Sequence, residues 1–261
     1  MRGFERQTAP SAARAMPFAF LRPALPLIAV ALAACAGGPP VPDWQVKSVA
    51  HASRYTQAYL LGNERVARRE FEQARQQAAS TGQPEQVARV ELTRCALQAA
   101  SLDFAPCTGF EALREDAPPA EAAYADWLAG QASAAQAALL PAAYRAIAAA
   151  NAAAPADAAA ALKAIEDPAS RLIAAGVLMR SQRASPAVAA LAVETASAQG
   201  WRRPLLAWLG VQQRLAQQSG QAEEAARLRR RMDLAAPLPA AAPKDQGAPD
   251  APGAASAAKP L

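Results

Sequence analysis

Tyr59-Leu60-Leu61-Gly62-Asn63-Glu64-Arg65-Val66-Ala67-Arg68-Arg69-Glu70-Phe71-Glu72-Gln73-Ala74 is the stretch on which the fold turns. A helical run from Ser48 reaches Leu61 and meets Gly62-Asn63, where glycine can take left-handed backbone angles without steric penalty. A second helical run continues to about Ala79. Along it Ala67, Phe71, Ala74 and Ala78 share one face at the 3.6-residue period, while Arg68, Arg69, Glu72 and Arg75 lie off it. The pattern predicts a helical hairpin in which Ala67 allows a close crossing and Phe71 fills a groove.

The same punctuation continues outward. Thr81-Gly82-Gln83-Pro84 breaks the chain, Pro84 suits a first helical turn, and Ala88, Leu92, Cys95, Ala99 and Leu102 form the next stripe. Helical patterns follow at 109–115, 118–129, 132–150, 156–165, 168–182, 186–199, 202–218 and 221–235, with Gly200 and Gly220 where helices should end. Leu205, Leu206, Trp208, Leu209, Val211 and Leu215 cover more than one face, which predicts a helix buried between neighbours. From Ala148 to Ala161 alanine dominates and no boundary can be set.

Composition agrees. The chain has 261 residues, 52% hydrophobic and only 5% aromatic, and alanine makes up about 29% of it. Few β-branched residues and no Val/Ile-rich runs exclude a β-sandwich or a doubly wound α/β enzyme. Alanine has the best helix propensity but little apolar area, so such helices must approach closely and share many neighbours. The expected class is all-α, and stacked antiparallel hairpins are the natural arrangement.

Tyr59, Gly62, Asn63, Ala67, Phe71 and Ala74 match the second half of a tetratricopeptide repeat, which the first hairpin therefore resembles. The first half departs, with Arg54 and Tyr55 in place of a Leu-Gly pair. A weaker echo is Gly220, Gln221 and Ala225, with Arg229 where the aromatic would be. The resemblance implies an irregular tetratricopeptide-like α-solenoid over 44–236, ordinary antiparallel helix packing being the alternative.

Residues 1–34 read as an export leader. Arg2, Arg6, Arg14 and Arg22 give a basic start, and Ala24 to Ala34 form an apolar run of about eleven residues, right for a signal peptide and too short to span a bilayer. Met16 is an alternative start giving the same mature chain. The run ends in Leu32-Ala33-Ala34-Cys35, which resembles the lipobox of bacterial lipoproteins at all four positions. That resemblance implies cleavage before Cys35, diacylglycerol on its sulfur and a third acyl chain on its amino group. Ala36, not Asp, follows the cysteine, which by the family's sorting rule implies the outer membrane of a Gram-negative bacterium, the protein facing the periplasm. Acyl anchoring is strong with two or more chains.

Loss of the leader removes four Arg and Glu5, so the net charge falls from +5 to +2. The basic balance is thus no argument for nucleic acid, and none is expected as a partner. Residues 35–43 are the acylated cysteine and a Gly/Pro tether. Residues 237–261 alternate Pro, Ala and Gly and are expected to form a disordered tail, on the order of 75 Å if fully extended.

Few residues invite chemistry. Cys95 and Cys107 are an even pair in an oxidising compartment and are expected to form a disulfide, two buried thiols being the alternative. His51 is the sole histidine, with no nucleophile elbow in the chain to serve, and reads as structural. Glu111, Glu115 and Asp116 could in principle support glycosidic acid/base chemistry but read better as solvated charge. Arg227, Arg229, Arg230 and Arg231 surround an Ala225, Leu228 and Met232 face and mark an exposed side. Trp44, Trp127, Trp201 and Trp208 read as packing anchors. No phosphate loop, zinc pattern or dinucleotide fingerprint occurs, so no cofactor or metal is expected.

These readings converge on a non-enzymatic scaffold or adaptor in the cell envelope, held to the outer membrane by its acyl chains and binding envelope proteins. Two other classes stay open: a lipid or small-ligand carrier with an interhelical cavity, and a peptidoglycan-active hydrolase using Glu111 or Glu115.

Overall fold

The computed structural model describes residues 40–149 and 155–236, without the side chains of 155–157. The chain divides into a unit Met1–Val41 and a unit Pro42–Leu261, and the account below concerns the second. The second unit is all-helical, as expected, with no strand among the described residues. The leader, the lipobox Leu32-Ala33-Ala34-Cys35 and the tail 237–261 lie outside the described residues.

Helix α1 (Asp43–Leu61) and helix α2 (Glu64–Ala79) form the first hairpin. Gly62 takes φ 79°, its N–H donates to Tyr59 O, and the Asn63 N–H reaches back to Ala58 O at 2.8 Å. The Asn63 side chain then accepts from the Val66 N–H and caps α2. The tight turn read from Gly62-Asn63 is therefore present. Helix α1 begins at Asp43, five residues before the expected start and inside the expected tether, because Pro42 sits at its N-cap and Trp44 and Ser48 pack inward. The Ser48 hydroxyl donates to Ala74 O at 3.1 Å and ties the hairpin's open end.

Helix α3 (Pro84–Ala100) buries residues on most of its circumference. Its end differs from expectation: Leu102 lies beyond the helix at φ 59°, while the Asp103 N–H donates to Gln98 O. Next come α4 (Thr108–Glu111), a 3-10 turn (Arg114–Asp116) and α5 (Pro119–Leu128). The helix expected across 132–150 is instead a 3-10 turn (Ala134–Leu139) and α6 (Ala142–Ala149). Pro141 is the reason: it holds Leu140 extended, at ψ 157°, and lacks the N–H that a continuous helix needs.

Helices α7 (Pro155–Lys163), α8 (Pro168–Arg180) and α9 (Pro186–Ala198) each open on a proline, whose missing N–H costs nothing in a first turn. Asp167 caps α8 through the Ser170 N–H at 2.7 Å, and Ser185 caps α9. Helices α10 (Arg202–Gln218) and α11 (Ala222–Ala235) complete the set.

Contacts reach beyond sequence neighbours: α3 lies against α8 as well as α2 and α5, and α1 lies against α10. Alanine makes this possible. Ala88, Ala99, Ala100, Ala123, Ala174 and Ala175 are all buried, and Gly176 of α8 meets α3 so closely that a Cβ there would overlap the Ala99 carbonyl. Large side chains close the remaining space, with Trp208, Phe110, Leu60, Leu140, Leu172 and Leu178 fully buried. The Trp208 indole N–H donates to Ala100 O at 3.1 Å, so this buried polar atom is satisfied and pins α10 to the end of α3.

Candidate functional site

The residues that carry the repeat resemblance come together in the first hairpin. Ala67 and Ala74 are buried where the two helices cross, and Tyr59 is buried at the turn. Tyr55, where the repeat would have glycine, is also buried, its ring 5.7 Å from Tyr59 and 5.3 Å from Phe71. The departure from the repeat thus fills its own space. Phe71 also faces the next helix, with the Arg94 guanidinium 4.9 Å over its ring. Burial raises the Tyr59 phenol to about 12 and the Tyr55 phenol further, despite the cations nearby.

Several charged residues on this hairpin are paired. His51 Nδ1 lies 2.7 Å from Glu70 Oε2, and Arg54 donates to the same oxygen at 2.8 Å. Hydrogen bonds from His51 and then Arg54 hold the Glu70 carboxyl below its ordinary range. Sequence reasoning missed a second cluster. Glu91 of α3 is 3% exposed, with Arg75 Nε 2.8 Å from one oxygen and Arg94 Nη2 2.7 Å from the other. The signal was present: Glu91 falls on the stripe of Val87, Ala88, Leu92 and Cys95, where a charge must be paired to be buried.

Cys95 and Cys107 stand at disulfide distance, their Cα atoms 5.7 Å apart, linking α3 to the start of α4. Glu111 grips Arg114 through two bonds of 2.7 and 2.9 Å, and Arg114 also reaches Asp126 at 3.0 Å. The Arg114 hydrogen bond holds the Glu111 carboxyl below its usual range, which suits a salt bridge and not a proton donor near neutrality. Glu115 and Asp116 are exposed. Of the arginines on α11, Arg227 pairs with Glu224 and Arg229 with Asp233, while Ala225 and Leu228 pack inward. Trp127, Trp201 and Trp208 are buried and Trp44 is half-buried. Among the described residues no group of three or more His, Cys, Asp or Glu side chains could hold a metal ion.

A cleft of about 550 Å³ opens between α3, α5, α6 and α8, within the usual range of small-molecule sites. Its apolar wall is Leu92, Ala96, Leu97, Tyr124, Leu140 and Ile173. Tyr124 belongs to a stack in which its ring lies 5.8 Å from both Trp127 and Tyr144, themselves 4.4 Å apart. At the rim Arg89 donates to Glu121 at 2.7 Å. Arg145 donates its Nε–H to Leu140 O at 2.8 Å, and its two Nη groups have no partner among the described residues. No sequence motif marked these residues, because α3, α5, α6, α8 and the segment at Leu140 contribute them from distant parts of the sequence. A larger and more open groove of about 860 Å³ runs along α9, α10 and α11.

Comparison with protein-family models, curated proteins and solved structures returns no match. No described helix is long and apolar enough to cross a membrane.

Proposed function

We propose that this chain is a lipid-anchored lipoprotein of the outer membrane that faces the periplasm and acts as a non-enzymatic protein-binding scaffold. The anchor rests on Leu32-Ala33-Ala34-Cys35 and the apolar run before it. The observation that carries the scaffold reading is the first hairpin, with its left-handed Gly62 turn and its buried Ala67 and Ala74, as tetratricopeptide-like stacking requires. Contacts of α1 with α10 and of α3 with α8 join elements far apart in sequence, which favours the alternative of ordinary antiparallel helix packing outside this hairpin. On the outer side of α2, Arg65, Arg68, Arg69 and Glu72 are exposed and have no ion pair among the described residues, which leaves a face of net positive charge for an acidic protein surface.

Two experiments test this. Labelled palmitate should enter the protein and be lost on Cys35→Ser, and the wild type should fractionate with outer membranes. A photo-crosslinker at Arg68 or Arg69 should capture the same envelope protein in repeated preparations. Absence of any captured protein under every solubilisation condition overturns the scaffold reading. A second reading, ligand carriage, is favoured by the cleft between α3, α5, α6 and α8.

A further inference from the structure

We infer that this cleft binds one amphiphile with a single anionic head, the chain lying on the apolar wall and the head on Arg145. The inference rests on the carriage reading and names its ligand class. The wall of Leu92, Ala96, Leu97, Leu140 and Ile173 is aliphatic and Tyr124 adds an aromatic face, with hydroxyls only at Tyr124, Thr56, Thr93 and Ser170, so it favours hydrocarbon, each buried methylene adding affinity.

The head is chosen by what remains unpaired at the rim among the described residues. Arg89 is taken by Glu121 and Gln86. Arg145 is held at the mouth by the bond from its Nε to Leu140 O, which leaves both Nη groups, one edge of the guanidinium fork, for a carboxylate or phosphate. Asp167 also lines the cleft, and although one oxygen accepts the Ser170 N–H, its charge opposes a second negative group on the ligand. A fatty acid and a lysophospholipid with a monoanionic head share this chemistry.

The test uses the full chain carrying Cys35→Ser, so that no covalent acyl chain competes for the cleft. Laurate, lauroyl lysophosphatidylglycerol and dodecanol are titrated by calorimetry, and ligands retained through purification are read by native mass spectrometry. One equivalent of laurate or of the lysolipid should bind, with dodecanol weaker by about tenfold. Arg145→Gln should bring the anionic ligands to the dodecanol level. Ala120→Trp, at an exposed lining position, should abolish binding of all three while circular dichroism and melting temperature stay those of the parent.

Tighter binding of laurate supports the inference with a fatty acid as source, and tighter binding of the lysolipid supports it with a phospholipid product. Equal affinities for laurate and dodecanol, or no effect of Arg145→Gln, overturn it. If none of the three binds but another molecule is retained and is lost in Ala120→Trp, the ligand class falls and carriage stands. If nothing binds and nothing is retained, both fall.

Discussion

Arg203, at the start of α10, donates its Nε–H to the carbonyl of Tyr59 at 2.9 Å and lays its guanidinium 4.2 Å over the ring of that same residue. It thereby caps the end of α1 from a helix 144 residues away in sequence, and its Nη2 also pairs with Glu64 at the start of α2. The Tyr59 carbonyl, in the last turn of α1, also accepts the Gly62 N–H, so Arg203 adds a second, charged hydrogen bond to its other lone pair. Arg203→Ala should cost about 2 kcal/mol, since a charged hydrogen bond and a cation–π contact are lost together. Arg203→Lys should recover only part, because an ammonium lacks the planar fork. Urea denaturation of the three proteins measures both.

The buried tyrosines predict a loss of stability in alkali. The Tyr59 phenol has its pKa raised from 10.0 to about 12 in the folded chain, chiefly by burial. Between those values the unfolded state releases a proton that the folded state keeps. The stabilising effect is therefore complete below about pH 10 and fades as pH rises toward 12. Tyr55 acts in the same direction. The melting temperature should fall across this window, and Tyr59→Phe should flatten the fall.

Glu70 predicts the opposite limb. Its folded pKa is lowered by His51 and Arg54, so its contribution is present above the unfolded carboxylate value and is lost as pH falls through the folded one. Glu70→Gln should therefore shrink the drop in melting temperature on acidification, and a pH series on both proteins would show it.

Gly176→Ala tests the close approach of α3 and α8. Helix propensity alone favours alanine by about 1 kcal/mol. The new methyl, however, meets the Ala99 carbonyl, which is backbone and cannot rotate aside. A net loss of about 2–3 kcal/mol is expected. A gain in melting temperature would show that the two helices can separate freely.

The pair Cys95 and Cys107 should contain no titratable thiol in the denatured, unreduced protein. Its removal as Cys95→Ala with Cys107→Ala should cost about 2–3 kcal/mol, the loop-closure value for a dozen residues. Reduction of the wild type should lower the melting temperature by a comparable amount.

Glu91→Gln tests the buried cluster. The variant keeps the shape but leaves Arg75 and Arg94 without their shared counter-charge, for an expected cost of about 2 kcal/mol, because both arginines keep some solvent contact. Glu91→Gln with Arg75→Gln should cost less than the sum of the single changes.

Much of the chain's local structure was legible because it depends on neighbours in sequence. Gly62-Asn63 stops one helix and caps the next; Pro84, Pro168 and Pro186 open theirs; and the alanine faces follow from period alone, whereas the start of α7 at Pro155 lies in the alanine-rich stretch where period sets no boundary. The break at Leu140-Pro141 was also local, but two helical patterns on either side concealed it, and only the proline's effect on Leu140 separates them. The pairing of Cys95 with Cys107 is legible only with Cys35 assigned to the lipobox, which leaves two cysteines of the three.

What tertiary structure decided is which distant elements share a surface. Alanine-rich helices present nearly uniform faces, so periodicity says which side is buried and not which helix will cover it. The pairing of α3 with α8 depends on the missing Cβ of Gly176, and that of α1 with α10 on one arginine reaching one carbonyl. The cleft is the same kind of fact. Leu92, Tyr124, Leu140, Arg145 and Ile173 are unremarkable in sequence, and only the packing of their helices sets an apolar wall beside an arginine whose Nη groups have no partner among the described residues.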